Sequence, residues 1–162
     1  MKVEKIGLLG FGTVGSGVYH ILTKNQASIE KKTGVSLQIE KALVKEPELF
    51  ADKISGITFT SDVDYILNDE EISIIVEVLG GVDFAFNCVK KALESGKHVV
   101  TANKDLLAKH GVKLSQIARE NNVYLYYEAS VGGGIPVLRP LVEHVSSNEV
   151  EAIYGIVNGT TN

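Results

Sequence analysis

Apolar positions along the chain fall into short runs that alternate with longer stretches of helical spacing. The short runs are Val3–Leu9, Leu37–Val44, Ile57–Thr60, Ser73–Val78, His98–Thr101, Val123–Tyr127 and Val150–Val157, and each predicts a strand. Helical patterns fill the intervals. Val14–Ile29 follows a glycine-rich turn, and Ser61-Asp62-Val63-Asp64 has the form of a capping box opening Val63–Asn68. Asp83–Ser95 places Phe84, Cys88, Val89, Ala92 and Leu93 on one face, with Gly96 as its stop. Lys104–Asn121 sets Leu107, Leu114, Ile117 and Ala118 on a stripe. Pro136 suits the first turn of a helix carrying Val137, Leu138, Leu141, Val142 and Val145. Strand–helix alternation of this kind predicts an α/β fold: a doubly wound, mainly parallel sheet with helices on both faces and right-handed crossovers.

Composition narrows the function classes. The 162 residues make one domain, with an ordinary hydrophobic share of 44%. The net charge is −4 and no Lys/Arg cluster appears, which argues against nucleic-acid binding. No apolar run approaches membrane-spanning length. The opening "MKVEKIGLLG" has no signal-peptide layout, and the single cysteine, Cys88, excludes an internal disulfide. A cytoplasmic location is expected. His20, His98, His110 and His144 have no metal-ligand spacing. Cys88 reads as a small core residue, and Asp69-Glu70-Glu71 as a solvated helix end.

Chemistry enters with Gly10-Phe11-Gly12-Thr13-Val14-Gly15, a G-x-G-x-x-G that follows the first apolar strand and opens an amphipathic helix. Gly10 permits the tight turn, Gly12 leaves room for a pyrophosphate, and Gly15 lets helix and strand pack closely. The N–H groups of Thr13 and Val14 then face the phosphates. This context makes the fold Rossmann-like. An acid that would hold the ribose is expected at the end of the second strand. Lys45 stands there, with Glu46 one step further. Lys45 pairs with a 2′-phosphate or is a solvated surface lysine; Glu46 keeps NAD open beside NADP.

"VEVLGG" (Val76–Gly81), "VVTANKDLLAKHG" (Val99–Gly111), "YEASVGGGIPVLRPL" (Tyr127–Leu141) and the terminal "NGTTN" complete a pattern. With the glycine loop, they resemble the nucleotide-binding half of homoserine dehydrogenase along essentially the whole chain. The resemblance implies an oxidoreductase interconverting L-homoserine and L-aspartate 4-semialdehyde with NADPH or NADH, on the route to threonine, isoleucine and methionine. It implies a small-molecule substrate and a parent that is a homodimer or larger. In that family the chain continues from the matching G-T-T-N turn into a substrate-binding and dimer-forming region with an essential lysine and acidic residues. Residues 1–162 are accordingly expected to be the dinucleotide-binding domain without that region, and inactive alone.

Lys104 follows the strand "HVVTAN", where an open parallel sheet binds its ligands. The matching family lysine lies at the nicotinamide and substrate with a part in proton transfer, which marks Lys104 as both catalytic and cofactor-binding. Thr101 and Asn103 are expected at the same mouth. Leu79, Gly80 and Gly81 are small enough to admit the nicotinamide ribose. The loop Glu128–Ile135 can turn carbonyls inward at its glycines. The resemblance implies a monovalent cation there, typically sodium, on backbone oxygens matching Glu128, Val131, Gly133 and Ile135. The competing reading is a non-catalytic dinucleotide-sensing module, which has no need of a reactive lysine at position 104.

Overall fold

The computed structural model describes residues 2–145, 149, 151, 152, 154 and 155. Half of the expected strand Val150–Val157 and the whole turn Asn158–Asn162 fall outside them, and residues 151, 152, 154 and 155 form no strand. Six strands form one sheet: β1 (Lys2–Leu9), β2 (Val35–Leu43), β3 (Thr58–Thr60), β4 (Ile72–Glu77), β5 (His98–Thr101) and β6 (Leu125–Tyr126). Their order is β3-β2-β1-β4-β5-β6, and every pair is parallel. The chain winds outward from β1 through β2 to β3, then returns to the other side of β1 as β4. This reversal creates a crevice at the carboxyl ends of β1 and β4, where open α/β sheets bind ligands.

Seven helices connect or flank the strands among the described residues: α1 (Thr13–Lys24), α2 (Gln26–Thr33), α3 (Glu48–Ala51), α4 (Asp64–Leu67), α5 (Asp83–Glu94), α6 (Lys104–Glu120) and α7 (Leu138–Val145). Neighbouring residues of a strand point to opposite faces. Leu9 and Ile75 therefore enter the core beneath α4, α5 and α6, while Leu8 and Val76 enter the core beneath α1. Both faces are covered, so the central strands read as continuous apolar runs.

Several elements differ from the sequence pattern. The helix expected over Val14–Ile29 is interrupted at Asn25, whose ψ of 13° leaves the helical well, and α2 buries no residue. α3 is too short to show a period. α4 is opened by Asp62, whose carboxylate accepts from the Asp64 N–H at 2.9 Å, and no Ser61–Asp64 box forms. The last strand shrinks to Leu125–Tyr126, because the Val123 N–H is spent on the Ala118 carbonyl at the end of α6. Pro136 precedes α7 by two residues. Asp69 is no solvated end: it pairs with the buried Lys41 at 2.8 Å. Buried Lys97 donates to the carbonyls of Asp69 and Ile72, at 2.6 and 2.7 Å, and ties the start of β4 to the turn before β5.

Candidate functional site

The glycine loop sits at the switch point between β1 and β4. Gly10 has φ +105°, and a Cβ there would stand 3.0 Å from the Val78 carbonyl oxygen. Gly15 is buried, and a Cβ on it would meet the Gly10 oxygen at 2.1 Å. A Cβ on Gly12 would meet nothing within 4 Å. The first two glycines are thus demanded by the protein's own packing, whereas the space at Gly12 is open. No side chain caps α1, so the first-turn N–H groups, those of Thr13 and Val14 included, are available to an anion.

A cleft of about 910 Å³ opens from this loop. Gly10, Phe11, Gly12, Lys45, Leu79 and Gly80 line it together, as do Glu46, Leu49, Phe50, Ser61 and Phe84. Lys45 and Glu46 are both exposed. Phe11 packs edge-on against Phe50 of α3 and Phe59 of β3, with ring centroids 5.5 and 5.2 Å apart. The same ring thus lines the cleft and fixes the loop to the wall beyond β2. Leu49, Phe50 and Ser61 were not legible as cleft residues. The only sequence signal was the Pro47 turn placing an apolar pair just beyond Lys45.

At the end of β4 lies a residue the sequence pattern hid. Glu77 is fully buried. Its Oε1 accepts from the Leu79 N–H at 2.8 Å and its Oε2 from the Thr101 hydroxyl at 2.5 Å. The Thr101 oxygen accepts in turn from the Asn103 N–H at 3.0 Å. Burial pushes the Glu77 carboxyl up from the usual carboxylate range, and the bonds from Thr101, Leu79 and Asn103 oppose it. Thr101, expected at the mouth, is itself fully buried, with its hydroxyl committed to Glu77. A single acid inside the run "ISIIVEVLGG" was the signal available for Glu77.

Asn103 caps α6: its Oδ1 accepts from the Leu106 N–H at 3.1 Å, and its Nδ2 donates to the Gly81 carbonyl at 2.7 Å. Gly81 has φ +82°. Lys104, the first residue of α6, is exposed and lines a second groove of about 730 Å³ with Leu107, Ala108, Tyr127, Ser130 and Val131. The glycine loop and Lys104 therefore stand in separate cavities along one edge of the sheet. The turn Leu79–Gly81 and the Asn103 side chain bridge them. Among the described residues no carboxylate lines the Lys104 groove.

The family model described as "Homoserine dehydrogenase, NAD binding domain" matches residues 10–128. The chain belongs to that family. A homoserine dehydrogenase of Bacillus subtilis is 44% identical over 100% of this chain, which covers 38% of that relative. The structure of a homoserine dehydrogenase from Thiobacillus denitrificans aligns with TM-score 0.85 and 37% identity, over 91% of this chain and 34% of that one. A hyperthermophilic archaeal homoserine dehydrogenase in complex with NADPH aligns with TM-score 0.69 and 25% identity, over 86% of this chain and 48% of that one. The chain thus spans little more than a third of the length of the bacterial homoserine dehydrogenases it matches.

The family-model match ends at residue 128, where the glycine-rich loop begins. Glu128 opens a 3₁₀ turn, Glu128–Ser130, and its carbonyl accepts from the Val131 N–H at 3.2 Å. Its carboxylate reaches across the loop to the start of α7, accepting from the N–H groups of Val137, Leu138 and Arg139 at 2.6, 2.9 and 2.8 Å. The Val137 N–H holds the carboxyl below the usual range against desolvation, the next largest effect, with the N–H groups of Arg139 and Leu138 adding to the lowering. Gly132 and Gly133 take left-handed backbone at φ +72° and +62°. Val131 is half-buried, and Gly133 and Ile135 are exposed. Among the described residues no His/Cys/Asp/Glu group could hold a metal ion, and no helix is long and apolar enough to cross a membrane.

Proposed function

We propose that this chain is the dinucleotide-binding unit of an NAD(P)-dependent homoserine dehydrogenase, with NADPH preferred. The observation that carries the reading is the open space at Gly12, beside the uncapped start of α1, in a cleft that reaches Lys45. A pyrophosphate fits that cradle through N–H groups and the helix dipole. Lys45 would face a 2′-phosphate, and the archaeal relative solved with NADPH supports the choice. Leu79, Gly80 and Gly81, with Asn103 behind them, would take the nicotinamide half.

When bound, the nicotinamide supplies or accepts a hydride at the aldehyde or alcohol carbon. This chain's part is orientation and charge. Lys104 would give a proton to the aldehyde oxygen as it becomes an alkoxide, or hold that charge electrostatically. In the reverse direction it would receive the hydroxyl proton. A monovalent cation would take backbone oxygens of Glu128, Val131, Gly133 and Ile135; an all-oxygen donor set on a loop turned by two left-handed glycines suits a hard cation.

A 2-amino substrate needs an anionic partner for its ammonium, and the described residues of the Lys104 groove supply none. Positioning can be worth about 7–11 kcal/mol of barrier. Its loss is roughly five to eight orders of magnitude in rate. The 162-residue chain should therefore bind NADPH, with a dissociation constant of roughly tens of micromolar, and turn nothing over. Calorimetric titration together with a homoserine oxidation assay tests this. Absence of dinucleotide binding overturns the reading, and rapid turnover overturns the inactivity.

A further inference from the structure

Glu77 is a buried carboxylate with no ion-pair partner among the described residues. Burying such a group is costly unless several donors satisfy it. Here the donors come from segments that frame the ligand cleft. Leu79 belongs to the cleft wall, and Thr101 relays to Asn103, which caps the helix that begins at Lys104. Glu77 and Thr101 are register partners on β4 and β5, so the carboxylate joins the ends of two adjacent strands. Among the described residues its carboxylate makes no hydrogen bond or ion pair to the glycine loop or to Lys45.

We propose that Glu77 is a positioning residue for the nicotinamide end of the cleft: its carboxylate sets the Leu79–Gly81 turn and, through Thr101 and Asn103, the start of α6. This rests on the dinucleotide reading above. The acceptor-only chemistry of a carboxylate is what the site requires, because the Leu79 N–H and the Thr101 hydroxyl arrive on different oxygens. Glutamine has the same shape but would turn an NH₂ toward one of those donors. Thr101→Val removes the hydroxyl relay to Asn103 while leaving Glu77 bonded to Leu79 and in its longer, 3.5 Å contact with the Asn103 amide.

The test compares two probes on the whole chain. NADPH spans both ends of the cleft, whereas 2′,5′-ADP lacks the nicotinamide half. For Glu77→Gln, NADPH affinity should fall tenfold or more while 2′,5′-ADP affinity stays within twofold. Thr101→Val should show the same split more weakly, and it carries the test if Glu77→Gln does not fold. Equal loss of both probes, or loss of neither, in the folded variant overturns the assignment. A wild-type chain that binds neither probe overturns the dinucleotide reading and this assignment with it. A wild type that binds both leaves that reading standing whatever the variants do.

Discussion

A Cβ on Gly15 would lie 2.1 Å from the carbonyl oxygen of Gly10. That contact is with backbone, so side-chain rotation cannot relieve it, and α1 must move away from β1. Gly12 is the opposite case, because nothing within 4 Å would obstruct its Cβ and its φ of −77° is ordinary. Gly15→Ala should therefore lower both melting temperature and NADPH affinity. Gly12→Ala should leave the melting temperature within a few degrees yet weaken NADPH at least tenfold, since the methyl group occupies the phosphate cradle. Thermal melts paired with calorimetry separate the two. Equal behaviour would mean that Gly12 is a packing residue and not a binding one.

The contrast between the two glycines shows what the sequence could and could not carry. The motif spacing was legible because Gly10 and Gly15 answer local backbone demands and Gly12 leaves open space between them. β1 and β4 were legible because their carboxyl-terminal halves, buried on both faces, leave apolar runs. Interactions across the fold left no such trace. Glu77 interrupts an apolar run by one residue, and its meaning appears only when Thr101 is its neighbour on the next strand. The burial of Lys41 and Lys97 left no sign in the pattern, because their carbonyl and carboxylate partners lie far away in the chain. Thr101 was placed correctly on its strand, but the face it presents was not. Likewise Glu128 was expected to contribute its backbone oxygen, and pattern reading could not show its carboxylate reaching nine residues ahead to Val137.

Cofactor choice should depend on Lys45. The residue is exposed and shares the cleft with Glu46. Exposed pairs are worth about 1 kcal/mol or less, so the preference for NADPH over NADH should be roughly fivefold and should shrink with salt. Lys45→Ala should abolish most of it. Titration of both cofactors at low and high ionic strength is the measurement, and a preference for NADH in the wild type would show that Glu46 faces the ribose.

Cys88 should be inert in the native chain. It is buried in the core beneath α5, and burial, with a smaller effect of Glu77, pushes its thiol up to about 11. At pH 8 the thiolate fraction is then about one in a thousand, and the sulfur is also inaccessible. Thiol-reactive dyes should label it only after denaturation. Rapid native labelling would show that the face formed by α5 opens.

Glu128 should anchor α7 across the ordinary acid range. Its folded-state pKa is lowered, so its contribution is fully present above the pKa of an unfolded glutamate and is lost as the pH falls through the lowered value. Below that point the protonated carboxyl no longer holds the N–H groups of Val137, Leu138 and Arg139. In an NMR titration their amide shifts should move together, with a midpoint below that of free glutamate. Glu128→Gln should remove the titration and raise exchange at those amides. A midpoint at or above the free value would mean that the cap is not formed in solution.

Lys104 tests the catalytic part of the proposal. It stands at the first turn of α6, which the Asn103 side chain caps, and it lines a groove separate from the glycine-loop cleft. A residue so placed can act on a substrate oxygen without contributing much to dinucleotide binding. In a homoserine dehydrogenase that carries this domain together with its substrate-binding region, Lys104→Ala should lower kcat by about 10²–10⁴-fold, the usual contribution of a positioned proton donor. NADPH affinity should stay within a few-fold. Lys104→Arg should keep the charge but restore little, because guanidinium does not release its proton near neutral pH. Unchanged turnover in Lys104→Ala would remove the residue from the mechanism. Strong recovery in Lys104→Arg would show that it acts by charge alone and not by proton transfer.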